Sequence, residues 1–369
     1  MVQILSKKFS KISVFPIFCL IIYLFIYLVV KKENEKCLKL ENIGDEYFGF
    51  PVLLLDKNIL LGKCVEKVDV GVDIKYRKFV SFNSNSKFNF IFYINKTKHD
   101  YLTLLTEENQ RIIPKKFETR NIEDFQVPVN IPLFFGFLER STYIDCLGLK
   151  RNSPKNATKI RDFINSMVEL RDLFINDFGI FFYLSGGTLL GWYRECSIIP
   201  HTEDVDLFVK IEDLNFDMTL FFKSGKTRFD FVRKLGRVND SLTLTIFDIK
   251  TKTPIDIWFL YESFHENGEK YSWCGINNKQ GQKHRFFYPL QKSWCATDLY
   301  GKIFWVPCSP KDILIADYGE MWYKDIPEKN YVWFENAKNS KVVGFFREDE
   351  MKDVYEWNPK YISKGSINK

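Results

Sequence analysis

This chain of 369 residues has no Cys-x-x-Cys pair, no clustered stripe of basic residues, no internal repeat and no low-complexity segment, and it contains only four histidines. The first absence removes the ligand spacing of a structural zinc site. The second removes the footprint that nucleic acid requires, because the formal charge of +6 comes from 53 Lys and Arg scattered among 47 Asp and Glu. No nucleic-acid partner is expected. With histidine so scarce, His201 reads as a loop residue and not as a ligand. What the chain has is apolar mass: 46% hydrophobic and 17% aromatic residues, including 36 Phe and 18 Tyr, too much for disorder and enough for one large or two modest domains.

One long apolar run is present. Ile12 to Val30 carries no charged side chain and has about the 20 residues that a transmembrane helix needs. Lys31-Lys32 follows it where a cleaved signal peptide would have a small-residue site. The expectation is an uncleaved signal-anchor over 12–30, a cytosolic tail over 1–11 and a polar stem over 31–45 (KKENEKCLKLENIGD). Basic residues flank the run on both sides and barely discriminate its orientation. Glycosylation sequons at Asn95, Asn156 and Asn239 all follow it, which favours a single-pass type II protein with its C-terminal bulk in the lumen. Seven of the eight cysteines lie outside the run, so at least one is unpaired. In an oxidising lumen one to three disulfides are expected, with one pair available among Cys274, Cys295 and Cys308.

Residues 46–150 contain short Phe-, Val- and Ile-rich runs such as FPVLLLD and FNFIFYI, which read as a strand-rich, mixed unit without a catalytic constellation. A second domain is expected over 151–330, followed by a C-terminal extension over 331–369. Ser153-Pro154 opens a helix whose apolar face runs through Ile160, Phe163, Ile164, Met167, Val168 and Leu170 and stops near Gly179. Ile180 to Ser185 reads as a buried strand, Gly186-Gly187 as a tight turn and Thr188 to Arg194 as a short helix. Val205 to Lys210 reads as a second strand, and a helix is expected around Glu212 to Phe222. Ser241 to Ile249 and Pro254 to Tyr261 read as a hairpin. The fold class is α/β (α+β). Trp192 and Tyr193 read as core or rim aromatics.

The chemistry concentrates in HTEDVDLFV. Asp204 and Asp206, one residue apart on a strand, project to the same face. Two like charges so close in an apolar strand require either a proton or a cation between them. Hard oxygen ligands favour Mg2+ or Mn2+. Asp256, between Ile255 and Ile257 on the neighbouring strand, is the third candidate ligand, or the group that takes a proton from an attacking hydroxyl. Gly186, Gly187 and Thr188 are candidates to face phosphates, and Arg194 either reaches a phosphate or caps its helix through a carbonyl. Apolar-Gly-Gly, Asp-apolar-Asp and apolar-Asp-apolar in that order is the layout of a nucleotidyltransferase-like catalytic domain.

The stretch YLSGGTLLGWYRECSIIPHTEDVDLFV, with GRVNDSLTLTIF, PIDIWFLY, FWVPC and YGEMW, resembles the fukutin family within the wider LicD-like group of phosphotransferases. The likeness runs in order over about residues 180 to 325, and FGFPVLLLD with the signal-anchor extends it toward the N-terminus. It implies a single-pass type II protein of the Golgi membrane that moves a phospho-alcohol from a CDP-activated donor to a glycan hydroxyl of a glycoprotein acceptor. In fukutin-like enzymes that group is ribitol 5-phosphate from CDP-ribitol, in O-mannosyl glycan modification. In the LicD branch it is phosphocholine. A non-catalytic Golgi partner, binding a glycan or another glycan-modifying transferase, is the contrasting reading. His201-Thr202-Glu203 is nearer the fukutin branch, and Asn239 stands where fukutin-like chains tend to carry Glu.

Overall fold

The structure is a computed structural model that describes residues 52–56, 68–73, 78–82, 89–104, 110–122, 125–149, 157–324 and 337–362. The expected signal-anchor and stem, Cys37, Cys64 and Asn156 lie outside the described residues. No described helix is long and apolar enough to cross a membrane.

The chain divides into two compact units, one drawn from 1–94 and 119–129, the other from 95–118 and 130–369. The first is strand-rich, as expected. Its strands are β1 (Val52–Asp56), β2 (Val68–Asp73), β3 (Lys78–Phe82), β4 (Asn89–Asn95), β7 (Thr119–Ile122) and β8 (Phe125–Pro128), in the order β2-β3-β4-β1-β8-β7. Among the described residues of this unit β1 and β4 pair in parallel, and the other neighbours are antiparallel.

The compact units do not follow the sequence order of the expected domains. The hairpin of β5 (Tyr101–Leu104) and β6 (Arg111–Pro114) belongs to the second unit. Asp100 there pairs with Arg171 at 2.9 Å, Arg111 bridges to Thr142 and Tyr143 to Ala296, and a disulfide joins Cys146 to Cys196. These long-range ties have no local signature in the sequence.

In the second unit, α1 (Ile131–Glu139) is capped by Asn130, whose side chain accepts from the Leu133 amide. Helix α2 (Ala157–Leu173) buries Ile160, Phe163, Ile164, Met167 and Leu170, and a π-turn at Phe174–Phe178 ends at Gly179 with φ of 69°. Then come β9 (Phe182–Leu184), α3 (Gly186–Glu195) and β10 (Val205–Lys210). Trp192 is fully buried, as expected of a core aromatic. The helix expected over Glu212 to Phe222 is broken: a single 3-10 turn at Ile211–Asp213 precedes α4 (Met218–Lys223). Asp217 caps α4 through the Leu220 amide, and Phe216, ahead of it, stacks on Phe178 at 3.8 Å.

A nine-stranded sheet organises the unit. β11 (Phe229–Arg237), β12 (Asp240–Asp248), β13 (Thr253–Phe264), β14 (Lys270–Asn277) and β15 (Gln282–Pro289) form an antiparallel meander. β10 lies parallel to the first half of β13 and antiparallel to β9. Val205, Leu207, Ile255 and Ile257 are fully buried, each contributing about 1.5–3 kcal/mol of hydrophobic burial. β16 (Trp294–Leu299) and β17 (Lys302–Pro307) form a separate hairpin, closed by a Cys295–Cys308 disulfide and followed by α5 (Pro310–Tyr318). Among the described residues, two disulfides and the free, buried Cys274 fit the expected pairing.

The stretch expected as an extension is part of this sheet. β18 (Ser340–Phe345) pairs with β15 at one end, and β19 (Tyr355–Trp357) pairs with β11 at the other. Its partners lie more than a hundred residues away for β19, beyond what strand patterning reveals.

Candidate metal centre

The parallel register sets Asp206 opposite Asp256, and Asp204 stands at the entry to β10. One oxygen from each of Asp204, Asp206 and Asp256 lies within 4.8 Å of the others. Paired residues share a face, so this register also carries the row outward: Asp256 opposes Thr245, Thr245 opposes Arg233 and Arg233 opposes Trp357.

Each carboxylate is aimed by specific donors. The Gly187 amide donates to Asp206 Oδ2 at 3.0 Å and the Trp258 indole to Asp206 Oδ1 at 3.4 Å. The Asp206 amide donates to Thr188 Oγ1 at 2.9 Å, which ties α3 to β10. The Thr202 hydroxyl reaches Asp204 Oδ1 at 3.4 Å. The Thr245 hydroxyl donates to Asp256 Oδ1, and Arg233 Nη2 lies 3.4 Å from Asp256 Oδ2.

Gly186 is needed at the turn for two reasons. Its φ is +45°, and a Cβ placed there would lie 2.7 Å from Asp206 Oδ2. The backbone thus comes as close to the carboxylate as glycine permits. Gly187 and Thr188 serve Asp206 directly. Arg194 is buried; it pairs with Glu195 at 2.7 Å and donates to the Lys324 carbonyl, outside its own helix, at 3.3 Å.

Electrostatics separate these carboxyls from ordinary ones. Burial, then the charge of Asp256, pushes Asp204 up to about 6. Burial, then the charges of Asp204 and Asp206's other neighbour Asp256, pushes Asp206 well above the usual carboxylate range. Both shifts come first from desolvation and second from mutual repulsion that the local donors do not offset, as expected where a divalent ion belongs. The Ser185 hydroxyl adds to this: its backbone amide donates to the Asp206 carbonyl at 3.1 Å, and its Oγ is buried with no hydrogen-bond partner among the described residues. Three hard oxygen donors and an orphaned hydroxyl fit a hard divalent cation.

Asn95 and Asn239 are exposed, and Asn239 sits at the tip of the β11–β12 turn. Arg233, Thr245, Trp258 and Ser185 were not distinguished by sequence pattern. Trp258 had the one available signal, since it lies two residues after Asp256 on the same strand face.

Residues 179–309 match the family described as LicD/FKTN/FKRP, nucleotidyltransferase domain, and residues 37–145 match the W02B3.4-like, N-terminal domain. Two Caenorhabditis elegans proteins, T07A5.1 and W02B3.4, both described as uncharacterized, are each 36% identical to this chain. The T07A5.1 match covers 88% of both chains; the W02B3.4 match covers 83% of this chain and 81% of that protein. The human ribitol-5-phosphate transferase FKTN is 32% identical over 54% of this chain and 41% of its own length. All three carboxylates fall inside the matched nucleotidyltransferase segment.

Proposed function

This chain belongs to the fukutin-like LicD family, and on that premise we propose that it is a metal-dependent transferase moving ribitol 5-phosphate from CDP-ribitol to a glycan hydroxyl, at the lumenal face of the Golgi membrane. The observation that carries the reading is the set of three converging carboxylates beside the Gly186-Gly187 turn, within the segment matched to the nucleotidyltransferase domain. The FKTN relatives are described as ribitol-5-phosphate transferases, which supports the choice of alcohol.

Asp204, Asp206 and Asp256 would hold Mg2+ or Mn2+. A divalent ion supplies charge neutralisation on a diphosphate and orients in-line displacement. In the transfer the hydroxyl oxygen bonds to the distal phosphorus, the bridging P–O bond breaks, CMP leaves and the hydroxyl proton is released. Both Asp256 oxygens already accept hydrogen bonds, so its orientation is set for a ligand role more than for proton uptake. Gly187 and Thr188 hold Asp206 in place, and the Ser185 hydroxyl, on the residue whose amide donates to the Asp206 carbonyl, is buried without a hydrogen-bond partner among the described residues. The signal-anchor over 12–30 would hold the domain at the membrane.

The test is CMP release by the purified chain from CDP-ribitol and from CDP-choline, with and without Mg2+ or Mn2+. Release from CDP-ribitol that disappears in D204A is expected. Preference for CDP-choline would move the chain to the phosphocholine branch. No metal binding and no CMP from any CDP-alcohol would leave a non-catalytic glycan-binding partner.

A further inference from the structure

We propose that Arg233 is a positioning residue for the metal centre, and that Trp357 on the C-terminal strand β19 holds its guanidinium in place, so that residues 355–361 complete the site. The proposal rests on the transferase reading for its activity measurement, and on metal binding independently of it.

Three strands, β11, β12 and β13, lie between the C-terminal strand β19 and the metal-ligand strand β10 in one continuous row, and the contacts follow the register. The Arg233 Nε–H donates to Thr245 Oγ1 at 2.7 Å while Nη2 faces Asp256 Oδ2 at 3.4 Å, and the Thr245 hydroxyl donates to Asp256 Oδ1. One guanidinium thus controls both oxygens of Asp256, one directly and one through Thr245. A planar fork is suited to this, because its donors stand at fixed spacing. On its other side the Arg233 guanidinium lies 5.2 Å from the centre of the Trp357 ring. The Trp357 indole N–H is buried without a hydrogen-bond partner among the described residues, so the ring is held by strand pairing and stacking alone.

The C-terminal segment is itself firmly docked. The Asn358 amide donates to the Val232 carbonyl at 2.8 Å and its side chain to the Phe231 carbonyl at 2.8 Å. Tyr361 donates to Asp230 Oδ2 at 2.7 Å, and Lys360 pairs with the same carboxylate. These anchors lie just before Arg233 on β11, the pairing of Lys234 with Glu356 and Leu235 with Tyr355 lies just after it, and together they fix where Trp357 stands.

Arg233 and Asp256 touch differently from a structural ion pair. Arg228 grips Asp248 with Nε at 2.9 and 3.1 Å from its two oxygens and adds an Nη2 contact. Arg233 makes one long contact to Asp256 and spends its best hydrogen bond on Thr245. That leaves Asp256 lone pairs available while its orientation is held, which is what a ligand needs from its outer partners.

The experiment uses the full-length chain in detergent, with Mn2+ binding followed by electron paramagnetic resonance and CMP release from CDP-ribitol resolved into kcat and KM. R233Q is expected to weaken Mn2+ binding and lower kcat by about 10- to 100-fold each, with KM for the donor within about twofold. R233K recovers little, because one ammonium cannot span Thr245 and Asp256. W357A reproduces part of the R233Q defect, W357F recovers most of that part, and R233Q/W357A is no worse than R233Q alone, since Trp357 acts through Arg233. Wild-type Mn2+ affinity in R233Q, or additive losses in the double variant, overturns the proposal. If R233Q does not fold, wild-type affinity in W357A and T245V overturns it in the same way. A wild-type chain that binds Mn2+ but releases no CMP removes the transferase reading, and the affinity series still decides this one.

Discussion

Carboxylates on the two strands that flank β13, Asp204 and Asp206 at β10 and Asp248 on β12, are treated in opposite ways. Asp248, fully buried at the end of β12, is surrounded by donors: Arg228, the Ser166 hydroxyl at 2.7 Å and the Lys250 amide at 3.0 Å. Burial pushes its carboxyl up, but the hydrogen bonds from Arg228, Ser166 and Thr251 outweigh it and hold the group below the usual range. Asp204 and Asp206 are half-buried, yet only weak or single donors reach them, and desolvation first and neighbouring carboxylates second hold both above that range. Desolvation acts on both groups; compensation by donors does not. A carboxylate that the fold has fully paired is structural, whereas a cluster that the fold leaves under-neutralised is waiting for a cation.

The widest separation between the two groups should come from removing their charge. D206N is expected to lower metal-dependent CMP release by at least about 10³-fold, of the order seen when a group stabilising charge in a transition state is lost. Without metal the same variant should melt no lower than wild type near pH 7, because it removes an unfavourable buried charge. D248N should do the reverse: a loss of about 3–5 kcal/mol in denaturant unfolding, since Arg228 is left without its partner, with kcat per folded molecule unchanged. A D206N chain that unfolds easily, or a D248N chain that folds normally but is inactive, would erase the distinction.

Titration sharpens the same contrast. For Asp204 the folded value of about 6 lies above the ordinary carboxylate value, so its contribution to metal-free stability is full below about pH 4 and falls as pH rises through 6. For Asp248 the folded value is depressed, so its contribution is present above about pH 4 and is lost as pH falls further. Saturating Mn2+ should cancel the first slope, because binding favours the ionised form, and leave the second alone. D204N should flatten the first slope and D204N/D206N should abolish it, as read from metal-free melting curves between pH 4 and 7.5, because Asp206 is raised for the same reasons. Persistence of that slope in the double variant would assign it elsewhere.

The legibility of the two groups in the sequence differed for a physical reason. Asp204, Asp206 and Asp256 stand out because alternation on short apolar strands makes a polar residue conspicuous, and the β12–β13 hairpin follows from two such strands joined by a Thr-Lys-Thr turn. The Val205 to Lys210 strand matches its expected bounds. Arg233, Thr245 and Trp357 were invisible as site residues because cross-strand register is set by the whole sheet, including bulges in β11 between Phe231 and Arg233 and beyond. The same long-range pairing hid the role of residues 340–345 and 355–357, which seemed an appendage and are edge strands. The single helix expected over Glu212 to Phe222 failed because Asp217 competes as a cap, starting a new helix where periodicity alone suggested continuation.

The turn that supports Asp206 offers a smaller test than charge removal. G186A places a methyl 2.7 Å from Asp206 Oδ2 in a left-handed backbone position, so either the carboxylate moves or the turn does. The backbone conformation alone disfavours alanine by about 1–2 kcal/mol. Metal affinity should fall more than stability, because the clash is directed at a ligand oxygen and not at the core; equal losses in both would mean that the turn is only structural.

The smallest effect is expected at Asn239. It sits exposed at the β11–β12 tip, six residues from Thr245 along β12, which at about 3.3 Å per residue puts roughly 20 Å between them. A glycan attached there would extend into solvent from the end of the hairpin, away from the carboxylate row. N239Q should therefore remove one glycan if the sequon is used, seen as a gel shift on deglycosylation, while leaving kcat and KM within about twofold of wild type, the range of an ordinary surface substitution. A larger change would place the hairpin tip within reach of the substrate and shift the active face toward the far end of β12.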